Sequence, residues 1–473
     1  MRRLILIATT AALTGCTMIP KYTRPEPPVP ATFNGTGVAP AGTAPAQPTP
    51  VPVAAKPASE ITWQEFFGDG KLRSVIGLAL ANNRDLRAAS LNVEKVQAYY
   101  RIQRSDLYPT IGVQVAGEKY RVPEKMHSDG KATYTEDYSV NLGTLSWELD
   151  FFGRIRSLSQ AALEQYLATA EARRAAQSAL VAGVAQSYLA LAADQESLNL
   201  AKATLADYQA SLELIAKTRD LGLTSDLDVA QAKSQVEAAR AAVAALTGRV
   251  AVDSSSLDLL AGAPVPADLL PGRMNLVTAL APLEPGLPSE VLLSRPDILG
   301  AEHRLLSANA NIGAARAAFF PRITLTAGIG TMSPDLSGLF DSGTRTWSFT
   351  PQLLTPIFAS GSLKANLKAT QLDRDIAVAG YEKAIQEAFA EVSNALVLRG
   401  TLVEQRKAEE ALVASLEDTR RLAEARYTMG LDSYLVVLVA NRSLYAGQQA
   451  LINVRLAEQA NLVTLYKALG GGV

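Results

Sequence analysis

The side chains best suited to nucleophilic or metal chemistry are scarce in this chain. It has one cysteine, Cys16, and two histidines, His127 and His303. A lone cysteine cannot close an intrachain disulfide, and two histidines leave little for a metal site. There is no Gly-rich loop leading into Lys-Ser/Thr, no His-Glu-x-x-His and no Gly-x-Ser-x-Gly. His127 falls in an expected loop, and His303 sits beside Glu302 on an expected helix. These residues predict no enzyme and no metal, and they leave any energy source to a partner. What the chain carries instead is a pair of apolar-glycine-apolar turns. One reads Leu221-Gly222-Leu223-Thr224-Ser225-Asp226-Leu227, the other Met429-Gly430-Leu431-Asp432-Ser433-Tyr434-Leu435. Leu and Met beside a tight turn suit contact with a partner helix, and the glycines suit left-handed helix C-caps.

The two turns belong to a repeat of roughly two hundred residues, too long for a solenoid and therefore domain-sized. The same spacing relates Gly262 to Gly470, and Tyr108-Pro109 recurs as Phe320-Pro321. Helical patterning runs from about Lys71 to Ser105. Residues 110–118 then alternate, with Ile111, Val113 and Val115 on one face, as a half-buried strand does. After a loop at Arg121–Lys131, a second strand spans about 133–149. Its apolar phase shifts near Gly143, from Tyr138/Val140/Leu142 to Leu145/Trp147/Leu149, which predicts a β-bulge. In the second half Ile323, Leu325, Ala327 and Ile329 alternate, followed by Trp347, Phe349 and Leu353. Each half thus has one β-hairpin, about 110–149 and about 322–358.

A heptad through Leu163, Leu167, Ala170, Val181, Val184, Tyr188, Leu191, Leu198, Leu205 and Leu212 predicts a coiled-coil seam. Helices are expected from about Ser157 to Arg219 and back to Leu260, then from Ser362 to Thr428 and back to Leu469. The expected organisation is a segment 1–15 for removal, a tether 16–60, a first repeat 61–270, and a linker with the second repeat over 271–473.

The N-terminus combines Arg2-Arg3, an apolar run Leu4–Leu13 too short to span a bilayer, and Leu13-Thr14-Gly15-Cys16. This resembles the signal peptide and lipobox of bacterial lipoproteins. The resemblance implies cleavage before Cys16 and its acylation, for example by palmitate. Residue 17 is Thr rather than the Asp that retains many lipoproteins at the inner membrane, so delivery to the outer membrane is implied. Residues 20–59 are Pro/Ala/Thr-rich and read as an extended tether. The net charge of −1 among 473 residues gives no reason for nucleic acid as a partner. Beyond the leader, no uninterrupted apolar run suffices for a transmembrane helix, so any membrane crossing must use strands. Four strands cannot close a barrel, so the chain must oligomerise.

Ser294-Arg295-Pro296-Asp297-Ile298, the run Ala308-Asn309-Ala310-Asn311-Ile312-Gly313-Ala314-Ala315-Arg316-Ala317-Ala318-Phe319-Phe320-Pro321, and Trp147-Glu148-Leu149-Asp150-Phe151-Phe152-Gly153-Arg154 resemble motifs of the TolC-like outer-membrane factors. The likeness is to their lipoprotein branch, typified by OprM and the NodT group, and covers essentially the whole mature chain. It implies a mainly α fold with a β-barrel portion. Long antiparallel coiled-coil hairpins form a periplasmic α-barrel, and a homotrimer shares a twelve-stranded transmembrane β-barrel in outer-membrane lipid. It also implies a periplasmic adaptor and an inner-membrane pump of RND type as partners, and passive exit of small molecules such as drugs, hence multidrug resistance. A heavy-metal export or protein-secretion component is an alternative. A structural envelope-spacing coiled-coil lipoprotein is another, though it leaves the four strands unexplained.

The resemblance assigns adaptor-docking tips to Leu221, Gly222, Leu223 and Thr224, and to Met429, Gly430, Leu431 and Ser433. It places a periplasmic gate at Asp228, six residues past Gly222, and Tyr427, three before Gly430. The chain departs from the family pattern in the second half. Val436 and Val439 stand where relatives often carry aspartates, and Asp432 where some carry a gate arginine. The implied constriction is therefore more apolar, with Asp228 its main inner acid.

Overall fold

The computed structural model describes residues 17–33, 60–126, 130–274 and 289–472. Cys16, its leader, much of the tether and His127 lie outside the described residues. The helices are α1 (Trp63–Phe66), α2 (Gly70–Asn82), α3 (Arg84–Ser105), α4 (Arg154–Asp220), α5 (Asp226–Ala261), α6 (Pro296–Ala317), α7 (Ser362–Thr428) and α8 (Tyr434–Ala468). The strands are β1 (Ile111–Val122), β2 (Thr133–Leu149), β3 (Arg322–Ser333) and β4 (Arg345–Leu354). The chain packs as two compact units, one from Met1–Glu26, Asn92–Ala170 and Gly300–Tyr381, the other from Pro27–Leu91, Glu171–Leu299 and Glu382–Val473.

In the first unit the two hairpins join edge to edge. They form one antiparallel sheet of four strands in the order β1-β2-β3-β4. Residues directly across from one another share a face, so the register sorts the side chains. Val113, Leu142, Ile329 and Trp347 form one row across all four strands, and Gln114, Asn141, Gly330 and Thr346 form the adjacent row on the opposite face. One face is therefore apolar and the other polar. The register shift between Thr144 and Trp147 keeps this sorting intact. Before it the even-numbered residues of β2 lie on the apolar face, and after it Trp147 and Leu149 do. Ser146 takes a positive φ of 53° at the shift. The chain tolerates the close approach of β2 and β3 because position 143 is glycine: a Cβ there would strike the Ala327 carbonyl.

β1 reaches Val122, four residues beyond the alternation read from the sequence, because Arg121 and Val122 still pair with Tyr134 and Thr133. Tyr108, Phe151, Phe320 and Phe358, all exposed, stand at the same end of the four strands, where the helices attach. Phe152 and Phe320 stack there with ring centroids 4.9 Å apart. The segment 17–24 lies along α6: Arg316 donates to the Met18 carbonyl, Asn309 to that of Pro20, and Arg24 forms a bidentate pair with Glu302 at 2.8 and 2.6 Å. His303 is bonded to Glu164 at 2.7 Å, a structural partner.

The second unit holds most of the helical hairpins. α4 and α7 each run for 67 residues, roughly 100 Å at helical rise. The expected single helix over 71–105 is broken at Asn83, which is extended and caps α3: its Oδ1 accepts from Leu86 N at 2.9 Å, and its Nδ2 donates to the Leu260 carbonyl. The heptad of α4 predicts a narrow seam, but from Leu180 to Ala193 ten of fourteen residues are buried and none is exposed. The excess burial follows from segments that wrap this stretch. Tyr188 donates to the Leu269 carbonyl, Ser178 to that of Gly471, and Gln186 bonds Thr464. An 18-residue window of α4 reaches a mean hydropathy of 1.2, and 56% of it is buried, as in a packed core helix. Phe66 stacks on Tyr466 at 3.9 Å to close the core of this unit.

Candidate functional site

Both helical hairpins turn by the same device. Gly222 and Gly430 adopt φ of 75° and 73°, a conformation that costs a side-chain-bearing residue. Leu223 N–H reaches the Thr218 carbonyl and Gly222 N–H that of Arg219; Leu431 reaches Arg426 and Gly430 reaches Tyr427, all within 2.8–2.9 Å. Each pair is a Schellman motif. The apolar flanks stay in solvent: Leu221 and Leu223 are 74% exposed, Met429 71% and Leu431 61%.

The two tips differ in how they are locked. Across the first turn, Thr218 and Thr224 hydroxyls meet at 3.1 Å, and Thr224 also donates to the Ile215 carbonyl. At the matching positions of the second, Arg426 grips Asp432 with two bonds of 2.6 and 3.1 Å. This guanidinium holds the Asp432 carboxyl below its usual range. The helix starts differ as well. Ser225 and Asp228 form a reciprocal capping box: Ser225 Oγ accepts from Asp228 N at 3.2 Å, and Asp228 Oδ2 accepts from Ser225 N at 3.0 Å. Ser433 makes no side-chain cap, and Val436, which has no carboxylate, cannot return a bond to the Ser433 amide as Asp228 does to that of Ser225. Val436 and Val439 are exposed instead.

The hairpins meet just behind the tips in one cluster: Ile215 of α4, Ala232 of α5, Ala423 of α7, and Tyr434, Val437 and Leu438 of α8. Tyr427 packs on this cluster and meets Tyr434 edge-on at 5.3 Å. Burial raises the Tyr427 hydroxyl pKa, and the nearby Asp228 charge raises it further. Asp228 and Tyr427, far apart in sequence, are thus brought together. The sequence reading passed over Arg426, Thr218, Ser225 and Tyr434. Ser225-x-x-Asp228 carries a capping-box pattern, the signal that could have found Ser225. The Arg426–Asp432 pair spans six residues, a separation no helix periodicity flags. Further along the first hairpin, Asp253 is pushed up to about 6, by burial first and by the adjoining Asp194 carboxylate next.

A four-stranded sheet with one apolar and one polar face, two edges free among the described residues and long helical hairpins joined to one end defines a protomer of an outer-membrane channel. The chain belongs to the outer membrane efflux protein family, whose model matches residues 75–263 and again 287–471. It is 47% identical to the toluene efflux pump outer membrane protein TtgC of Pseudomonas putida, over 100% of this chain and 96% of that one. It is 41% identical to outer membrane protein OprJ of Pseudomonas aeruginosa, over 99% and 95%. Among solved structures it resembles the open state of the Neisseria gonorrhoeae MtrE outer membrane channel. That match has a TM-score of 0.85 and 36% identity, over 97% of this chain and 98% of that one. The chain is accordingly an outer-membrane efflux channel component that extends into the periplasm.

Proposed function

We propose that three copies of this chain assemble a passive exit duct of a tripartite efflux system. It would carry organic compounds from an inner-membrane pump of RND type and a periplasmic adaptor to the outside. The observation that carries this reading is the two-faced sheet with free β1 and β4 edges. Such a sheet is unstable alone, yet it satisfies its backbone when β4 of one copy pairs β1 of the next. Its apolar face then meets lipid and its polar face lines the lumen. The double match of the family model supports reading residues 61–270 and 271–473 as two structural repeats. The name of the relative TtgC, for toluene efflux, supports organic substrates rather than metals. No catalytic or cofactor role is assigned to any residue.

Leu221, Gly222, Leu223 and Thr224, with Met429, Gly430, Leu431 and Ser433, form the surface that docks the adaptor. Asp228, Tyr427, Asp432, Val436 and Val439 form the periplasmic gate, in which the second hairpin, lacking a capping box, is the looser element. Cys16 carries the lipid. The course of 17–24 along α6 toward β3 supports an anchor at the membrane end of the duct. Planar-bilayer recording of the purified protein tests the reading. Stepwise conductance is expected, raised by Asp228→Asn, and a protein that never conducts would overturn it.

A further inference from the structure

The apolar face of the sheet changes character at the end away from the helices. On β1 the row Ile111, Val113, Val115, Gly117 continues into Lys119 and Arg121. On β4 the row begins with Arg345 before Trp347. On β2 it reads Tyr134, Glu136 and Tyr138 before Val140. The register sets Lys119 opposite Glu136, Arg121 opposite Tyr134 and Arg345 opposite Thr331. The polar face near this end carries Glu118 directly opposite Asp137 and, among the described strand residues, no cation. The strand cations at this end therefore all lie on the side that meets lipid, where Glu136 also stands. Lys119 is tied to Glu136, whereas Arg121 and Arg345 are exposed and make no side-chain ion pair or hydrogen bond among the described residues. Arg345 lies on one free edge strand and Lys119 and Arg121 on the other. Closing a ring of identical chains places these cations on adjoining strands at every seam. Like charges gathered at a low-dielectric boundary call for an anion.

We propose that Lys119, Arg121 and Arg345 form a belt that binds the phosphates of the phosphorylated glycolipid in the outer leaflet, one site at each seam. The inference rests on the reading of the sheet as membrane-spanning. A guanidinium matches a phosphate with two parallel hydrogen bonds, and basic side chains at the lipid surface are drawn to anionic head groups. The apolar rows directly below would hold the acyl chains of the same molecule.

The test is native mass spectrometry of the purified trimer incubated with bisphosphorylated lipid A, with its dephosphorylated form, and with phosphatidylglycerol. Bilayer conductance is recorded on the same samples. The wild type is expected to retain the bisphosphorylated lipid in preference to the other two. Each of Lys119→Gln, Arg121→Gln and Arg345→Gln should weaken retention about fivefold. Glu136→Gln, which releases Lys119, should strengthen it. Conductance should persist in every variant. Equal retention of the dephosphorylated lipid by wild type, equal retention by the triple variant, or preference for phosphatidylglycerol would each overturn the belt. Loss of conductance throughout, wild type included, would instead strike the channel reading. If the triple variant does not assemble, the comparison of lipids on wild type still decides.

Discussion

Asp228 holds the start of α5 through its box with Ser225 and also presses its charge on Tyr427. The two roles separate by substitution. Asp228→Ala removes both and is expected to destabilise the helix start by about 1 kcal/mol, read as faster hydrogen exchange over 225–232. Asp228→Asn keeps an acceptor for the Ser225 amide, so exchange should change little while conductance rises. Equal exchange in the two variants would deny the box its role. Val436→Asp is the converse experiment: it supplies Ser433 with the missing partner and should slow exchange at the start of α8 while lowering conductance. The Arg426–Asp432 pair depresses the pKa of an aspartate, so its contribution is complete above the ordinary value of 3.8 and is lost as pH falls through the lower folded value. Exchange protection at the second tip, taken relative to the intrinsic amide rate at each pH, should therefore be flat from neutral pH down to about 4 and then fall. Asp253 has the opposite sign. Its raised pKa means the folded chain prefers the protonated form, so its contribution is greatest below 3.8 and falls away as pH rises through about 6. Asp253→Asn is expected to raise the melting temperature at pH 7.5 and leave it unchanged at pH 4. A gain equal at both values would rule out the titration.

The long elements were legible because their signals are dense. The period-two runs gave the second strand at 133–149 as observed, and the phase change near Gly143 announced the shift between Thr144 and Trp147. What periodicity leaves out is partner choice. Nothing in the alternation says that β2 pairs β3, which turns two hairpins into one sheet. The break at Asn83 was likewise hidden, since its amide is satisfied by Leu260, far along the chain. The heptad of α4 reported one face, while the wrapping segments that bury its other faces follow no period. Gly143→Val should be among the most damaging single changes in the first unit, because its side chain must enter the space of the Ala327 carbonyl. Loss of the proposed trimer, read as its mass in solution, with retained far-ultraviolet helix signal is the expected outcome. An oligomer of normal stability would show that β2 and β3 can part without cost.

For the assembled molecule, the two faces of the sheet carry opposite rules for substitution. Trp347→Arg on the apolar face should impair insertion, by roughly 2–4 kcal/mol if the site lies near the bilayer midplane. Thr326→Arg on the polar face should leave insertion intact and alter ion selectivity. Similar insertion defects in both would mean the faces have been misassigned. The proposed docking tips and gate residues rest on motif likeness rather than on periodicity, and the locks at the two turns follow from neither, because a lock is a contact between residues and not a pattern along them. The free edges of β1 and β4 bear on inheritance. A protomer damaged at one edge still offers a sound edge to a neighbour, so it enters mixed assemblies and prevents their closure. When sound and damaged copies are made in equal amounts, random mixing leaves only about one trimer in eight wholly sound. Lesions along β1 or β4 should therefore act dominantly in a cell carrying both versions, whereas a chain that fails to fold at all should be recessive.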